Sequence, residues 1–160
     1  MAKLNKDYLV IVDTREKTGY SFREYDTCRG MVKRKLDTGD YSIDGLEDII
    51  CIERKACVEE IANNIIDTSK RFDREIARME TYKHKYLICE FSMADIINFP
   101  NGTGLPADIK KNTKITGKFL LKRLMEYQIN HGVSVIFCGN KENAFYFVAS
   151  LLKRLSEKYL

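Results

Sequence analysis

The chain has 160 residues, 44% of them hydrophobic and 31% charged, with two prolines and a formal net charge of +4. That balance describes one folded domain, residues 1–160, able to bury roughly two thirds of its unfolded surface, and it excludes a disordered chain. No apolar run approaches the roughly 20 residues a bilayer span requires, and Met1 to Asp7 lacks the apolar region of a signal peptide, so an intracellular location with no membrane role is expected. Five cysteines, none in a Cys-x-x-Cys pair, and only two histidines point to buried thiols in a reducing compartment and away from zinc. The mild positive charge permits a polyanionic partner without requiring one.

Tyr8-Leu9-Val10-Ile11-Val12 reads as a strand buried on both faces that delivers Asp13 to the sheet edge, where open α/β proteins place their sites. The competing reading of Asp13 is a turn-initiating acid bonded to its own backbone. Lys17 to Arg29 has no clean period and reads as loop with some helix. Met31 to Leu36 reads as a strand running into the turn Asp37-Thr38-Gly39-Asp40, and after a second turn at Gly45 comes a strand over Asp48 to Glu53. Paired as a hairpin, these two strands set Asp40 beside Glu53, and the two-residue period puts Glu53 and Lys55 on one face.

From Cys57 to Tyr82 the apolar residues at 58, 61, 62, 65, 66, 72, 76 and 79 predict one long helix. Its other side carries Arg71, Arg74 and Arg78, either a phosphate-binding face or a solvated one. Tyr86 to Phe91 reads as a buried strand in which Glu90 needs a cation, a donor or nearby water. Phe99 to Thr116 is the main loop and holds Lys110, Lys111 and Lys114. Lys118 to Asn130 forms an amphipathic helix stopped by His131-Gly132, Val133 to Cys138 a last strand, and Lys141 to Tyr159 a closing helix capped by Asn140. The fold expected is α/β, a central mixed β-sheet flanked by helices.

Asp40 and Glu53 are separated by twelve residues, and Lys55 follows two positions on. Two carboxylates and a lysine are the parts needed to hold a hard divalent cation and to handle the water that attacks a phosphodiester. As a bare pattern this is common, and a surface hairpin laced with ion pairs would look the same.

The wider context is more specific. Val12-Asp13-Thr14-Arg15-Glu16, Gly39-Asp40-Tyr41 and Ile52-Glu53-Arg54-Lys55, in that order, resemble the signature of the ERCC4 nuclease domain, the family of XPF and Mus81 within the restriction-endonuclease-like PD-(D/E)xK superfamily. Arg71-Phe72, Glu75-Ile76 and Tyr86 to Glu90 continue the likeness over nearly the whole chain. The resemblance implies a restriction-endonuclease-like fold and a DNA endonuclease using Mg²⁺ or Mn²⁺ on branched or flapped DNA. It also implies Asp13, Asp40 and Glu53 as metal ligands, Lys55 as the catalytic lysine, and Arg15 and Arg54 as active-site arginines. Glu16 and Glu90 match acidic positions of the pattern as auxiliary residues. Where the family writes Glu-Arg-Lys, three residues and then Asp, this chain has Glu59 after Ala56-Cys57-Val58, a further auxiliary candidate. DNA contacts are expected from Arg71, Arg74, Arg78 and the Lys110, Lys111, Lys114 loop, and pairing into a homodimer is implied. A single nuclease domain with no appended helix-hairpin-helix module is expected, with need of a targeting partner, and the resemblance is greater to compact phage or bacterial members, which are cytoplasmic. The alternatives at this point are a non-catalytic DNA-binding scaffold of the same fold, or another PD-(D/E)xK nuclease of exonuclease or restriction type.

Overall fold

The computed structural model describes residues 7–22 and 27–160. Among these, six strands form one sheet: β1 (Tyr8–Val12), β2 (Cys28–Lys33), β3 (Tyr41–Ile43), β4 (Ile50–Lys55), β5 (His84–Cys89) and β6 (Ser134–Phe137), in the spatial order β2-β1-β3-β4-β5-β6. β3 runs antiparallel to both neighbours, whereas β2 lies parallel to β1, and β5 and β6 continue parallel from β4. The expected mixed sheet flanked by helices is therefore present. Among the described residues no helix is long and apolar enough to cross a membrane.

The helices are α1 (Val58–Ile66), α2 (Ser69–Met79), α3 (Met93–Ile97), α4 (Ala107–Asn112), α5 (Gly117–His131) and α6 (Lys141–Tyr159). They cover the two faces unequally. α6 packs Val148, Leu152 and Leu155 against Val10, Val12, Ile43, Ile50 and Ile52, while α1, α2 and α5 pack Ile61, Phe72 and Leu124 against Cys51, Leu87 and Cys89. Period two along β4 thus sends Ile50, Ile52 and Arg54 to the α6 face, and Cys51, Glu53 and Lys55 to the other. Strands buried on both faces explain the near-continuous apolar runs of β1 and β5.

Three expectations from the sequence need correction. Met31 to Leu36 is not the hairpin partner of β4: the strand there is β2, which begins at Cys28 and sits at the sheet edge, and the partner is β3, whose three residues are too few to leave a period in the sequence. The span from Cys57 to Tyr82 is two helices. Its apolar stripe stays in phase across the junction, but Asp67, Thr68 and Ser69 have short polar side chains that compete for local backbone, and both the Asp67 and Thr68 amides bond to the Asn63 carbonyl as α1 ends. The main loop contains α4 and is preceded by α3, capped reciprocally by Ser92 and Asp95. The helix considered between Lys17 and Arg29 falls partly on residues 23–26, outside the described residues.

α6 has the expected bounds, and α5 extends one residue beyond the expected Lys118 to Asn130 at each end. Thr116 and Asn140 each accept from the amide three residues on, and Gly132 closes α5 in the left-handed region at φ 69°. Gly117, the first residue of α5, has no room for a side chain: a Cβ there would lie 2.2 Å from the Ile96 carbonyl oxygen and 2.3 Å from that of Ile97. Gly117→Ala is expected to force α5 off α3 and to cost about 1–3 kcal/mol, seen as a lower midpoint in urea unfolding.

Candidate active site

The turn before β3 is pressed onto β4 by the absence of a side chain. Gly39 has φ +89°, and a Cβ on it would lie 2.7 Å from Cys51 Sγ and 3.1 Å from the Ile52 carbonyl. This close approach lets the Asp40 amide donate to the Ile52 carbonyl at 2.7 Å, while Asp40 Oδ2 accepts from the Arg54 amide at 2.8 Å. Asp40 is thereby fixed alongside Glu53 from two directions. Gly39→Ala combines an unfavourable φ with two close contacts, so it is expected to cost about 2–4 kcal/mol of stability and to displace Asp40, measurable as a lowered midpoint in urea unfolding.

Lys55 is 5% exposed and projects on the Glu53 side of β4. Its Nζ lies 3.3 Å from Glu53 Oε1, 3.6 Å from Glu60 Oε1 and 4.9 Å from the centre of the Phe72 ring. These groups line an open cleft of about 340 Å³, to which Asp40, Arg15, Arg71 and Arg78 also contribute.

The charges in this cleft do not balance. Burial, and then the Glu53 carboxylate, push the Asp40 pKa up to about 8 against the opposing pull of the Arg54 amide. Burial also raises Glu53, and Lys55 offsets only part of that. Burial works against the charge on Lys55, yet Glu53 and Glu60 hold its pKa above the usual lysine value. Close to Asp40, Glu53 and Glu60 the one ammonium is Lys55, with Arg15, Arg71 and Arg78 standing along the walls, and a cation bound between Asp40 and Glu53 would neutralise the negative charge left there. The donors are all oxygen, which suits a hard cation. Among the described residues no three acid, histidine or cysteine side chains form a ready cage. Two carboxylates with open sides match the habit of Mg²⁺, which keeps several waters and leaves places for phosphate oxygens.

The model of the ERCC4 domain matches residues 12–151, a span that takes in Asp13, Asp40, Glu53 and Lys55. This chain belongs to the ERCC4 domain family. Among solved structures, XPF from Aeropyrum pernix superposes with a TM-score of 0.64 at 21% identity, covering 92% of this chain and 66% of that one. The same protein in complex with DNA gives a TM-score of 0.60 at 19% identity, over 94% of this chain and 66% of the other. At such identities the likeness shows the fold, and this chain spans just under two thirds of the XPF chains it matches. No match was found among curated proteins.

The other residues singled out in the sequence have distinct places in this ERCC4 domain. Asp13 is fully buried, with both carboxylate oxygens occupied: Oδ1 accepts from the Arg15 amide at 3.0 Å and Arg15 Nε at 2.6 Å, and Oδ2 accepts from the Leu36 amide at 2.7 Å. Its own amide donates to the Asp40 carbonyl at 2.8 Å, so Asp13 braces the turn that carries Asp40. The Arg54 guanidinium lies on the opposite face from Lys55, where Nε donates to Glu90 at 3.0 Å and Nη2 to the Thr18 carbonyl at 3.1 Å. The Tyr20 hydroxyl also donates to Glu90, which answers what that buried acid needs. Glu16 lies 3.9 Å from Arg54 and borders a smaller groove that also reaches Asp40 and Glu53.

Arg71 and Arg78 of α2 wall the cleft, the first paired with Glu75 at 3.3 Å and the second donating to Thr38 at 3.2 Å. Arg74 borders a separate shallow groove with Lys70. Lys110, Lys111 and Lys114 belong to α4 and the segment after it and do not line the cleft. Glu59 faces away from Lys55 and accepts from the Gly104 amide at 2.6 Å, tying the main loop to the start of α1. Sequence reasoning missed Glu60, together with the polar wall of Asn63, Asn64 and Thr68. Glu60 had a legible signal, an acid at the third position of a helix, where its carboxylate can turn back on the preceding backbone.

Proposed function

We propose that this ERCC4 domain is a divalent-metal-dependent DNA endonuclease that hydrolyses phosphodiester bonds in branched or flapped DNA. The observation that carries the reading is the meeting of Asp40, Glu53 and Lys55 in one open cleft walled by Arg15, Arg71 and Arg78. Family membership supports it, as does the complex of XPF from Aeropyrum pernix with DNA on the same fold.

Asp40 and Glu53 would hold Mg²⁺ or Mn²⁺, which when bound supplies a nucleophilic water at neutral pH and shields charge on the phosphate. Lys55 lies next to Glu53, within reach of a water in the cleft, and would orient that water and offset negative charge at the phosphorus. Asp13 keeps Asp40 in place from behind. Arg15 and Arg71 are exposed at the rim, and with Arg78 they suit sequence-independent contacts to backbone phosphates. Binding of that kind weakens steeply with salt.

Purified protein incubated with fork, flap, junction and linear duplex DNA, with Mg²⁺, Mn²⁺ or chelator, tests the proposal. Metal-dependent strand cleavage of the branched substrates in preference to duplex is expected. Cleavage of no substrate under any metal would overturn it, and degradation of linear ends alone would replace it with an exonuclease.

A further inference from the structure

Two consecutive acids follow the cleft lysine at the start of α1, and the helix itself decides which of them acts on it. Successive residues of an α-helix point about 100° apart, so Glu59 and Glu60 cannot share a direction. Glu59 is spent on the Gly104 amide and borders the groove beneath residues 101–103. Glu60 turns back over the end of β4, where Oε2 accepts from the Ala56 amide at 2.8 Å and Oε1 stands 3.6 Å from Lys55 Nζ. Its two oxygens thus divide between backbone and ammonium. The only other carboxylate of the described residues within ion-pair distance of Lys55 is Glu53, which the nuclease reading assigns to the cation.

We propose that Glu60 is a positioning residue for Lys55, holding the ammonium over the cleft while Glu53 is shared with a metal ion. The inference rests on the nuclease reading for its catalytic consequence, though not for the pairing itself. In this chain the acid at the position where the family writes Asp secures a loop, and its neighbour takes the lysine. A flexible four-carbon stem with a single shared partner would sample several rotamers, whereas a second anion fixed to the Ala56 amide confines it. The bland role for Glu60 is a helix-start acceptor for that amide, and glutamine would serve there equally well through its amide oxygen.

The test uses Glu60→Gln, which keeps the bond to Ala56 and deletes the charge, with Glu60→Ala removing both. In single-turnover cleavage of a branched substrate, Glu60→Gln is expected to lower the rate by about 10- to 100-fold with KM for DNA unchanged, and Glu60→Ala to fall at least as far. In metal-free and DNA-free protein, the ¹⁵N resonance of the Lys55 ammonium, assigned by its loss in Lys55→Met, is expected to shift or broaden in Glu60→Gln. A wild-type rate in Glu60→Gln overturns the proposal, and so does an unaltered Lys55 resonance. Should the wild-type protein cleave no DNA, the nuclease reading fails while the resonance still decides the pairing.

Discussion

Glu53→Gln is expected to abolish metal-dependent cleavage, by about 10³-fold or more, while leaving the folded protein as stable as the wild type or more so. The two halves of that expectation have one cause. Glu53 is half-buried beside Asp40, and both carboxyl groups are held above their ordinary pKa range by desolvation and by nearby acids. A carboxylate kept ionised in that setting costs folding free energy, which the neutral glutamine of nearly the same shape recovers. On the proposed nuclease reading the same substitution takes away a charged oxygen ligand, so Mg²⁺ or Mn²⁺ should raise the thermal midpoint of the wild type through linkage and leave that of the variant where it was. Cleavage assays beside thermal unfolding with and without metal make the check. A variant that cleaves like the wild type would remove Glu53 from the chemistry, and one that is destabilised in the absence of metal would refute the account of strained charge.

Asp13→Ala should read out first in stability. Its carboxylate accepts from the Leu36 amide, the Arg15 amide and Arg15 Nε, and the residue is fully buried. Alanine leaves the buried Leu36 amide and the half-buried Arg15 amide without acceptors, at a cost of about 3 kcal/mol in all. Asp13→Asn retains an acceptor oxygen and should lose less. Acid dependence gives a second check. Burial alone would raise the Asp13 pKa, but the Arg15 side chain and the Leu36 and Arg15 amides together bring it below the ordinary 3.8. A depressed carboxyl stabilises the fold above its unfolded value and loses that contribution as pH falls through the lower folded value. The stability gap between wild type and Asp13→Asn should therefore be full above about pH 4 and shrink on further acidification. Equal unfolding midpoints for wild type and Asp13→Ala at neutral pH would show that the brace carries no weight.

The parts of the molecule legible in the sequence were those that repeat or cap. β1, β5 and β6 announce themselves as apolar runs, and α5 and α6 carry their stop and start residues at the observed ends. What escaped was set by tertiary contact. β3 is too short for any period, so its place between β1 and β4 rests on pairing partners far along the chain. The break at Asp67 to Ser69 preserves helical phase, which hides it from any count of apolar spacing. Asp40, Glu53 and Lys55 meet although β3, and not the strand over Met31 to Leu36, pairs with β4, because the turn at Gly39 delivers Asp40 to β4 whichever strand precedes it. The roles of Glu59 and Glu60 could not be separated without the rotation of α1, and Arg54, adjacent to both Glu53 and Lys55 in sequence, belongs to the other face of the sheet.

That division of β4 between two faces bears on how the family can vary its length. β4 pairs with β5 in an unbroken parallel register from Ile50 opposite His84 to Lys55 opposite Cys89, whereas its pairing with β3 is confined to Tyr41 opposite Ile52. Glu53 and Lys55 are held in register by β5, so residues added at the exposed Asp44-Gly45 turn, ahead of the buried Leu46, lengthen that turn at small entropic cost and leave Glu53 and Lys55 where they are. A single deletion inside residues 50–55 is a different event: every side chain beyond it changes face, the arginine enters the cleft, and the lysine is carried toward α6. Insertions at that turn between the Gly-Asp and Glu-Arg-Lys motifs should accordingly be tolerated in functional variants of this chain, and deletions within the second motif should not.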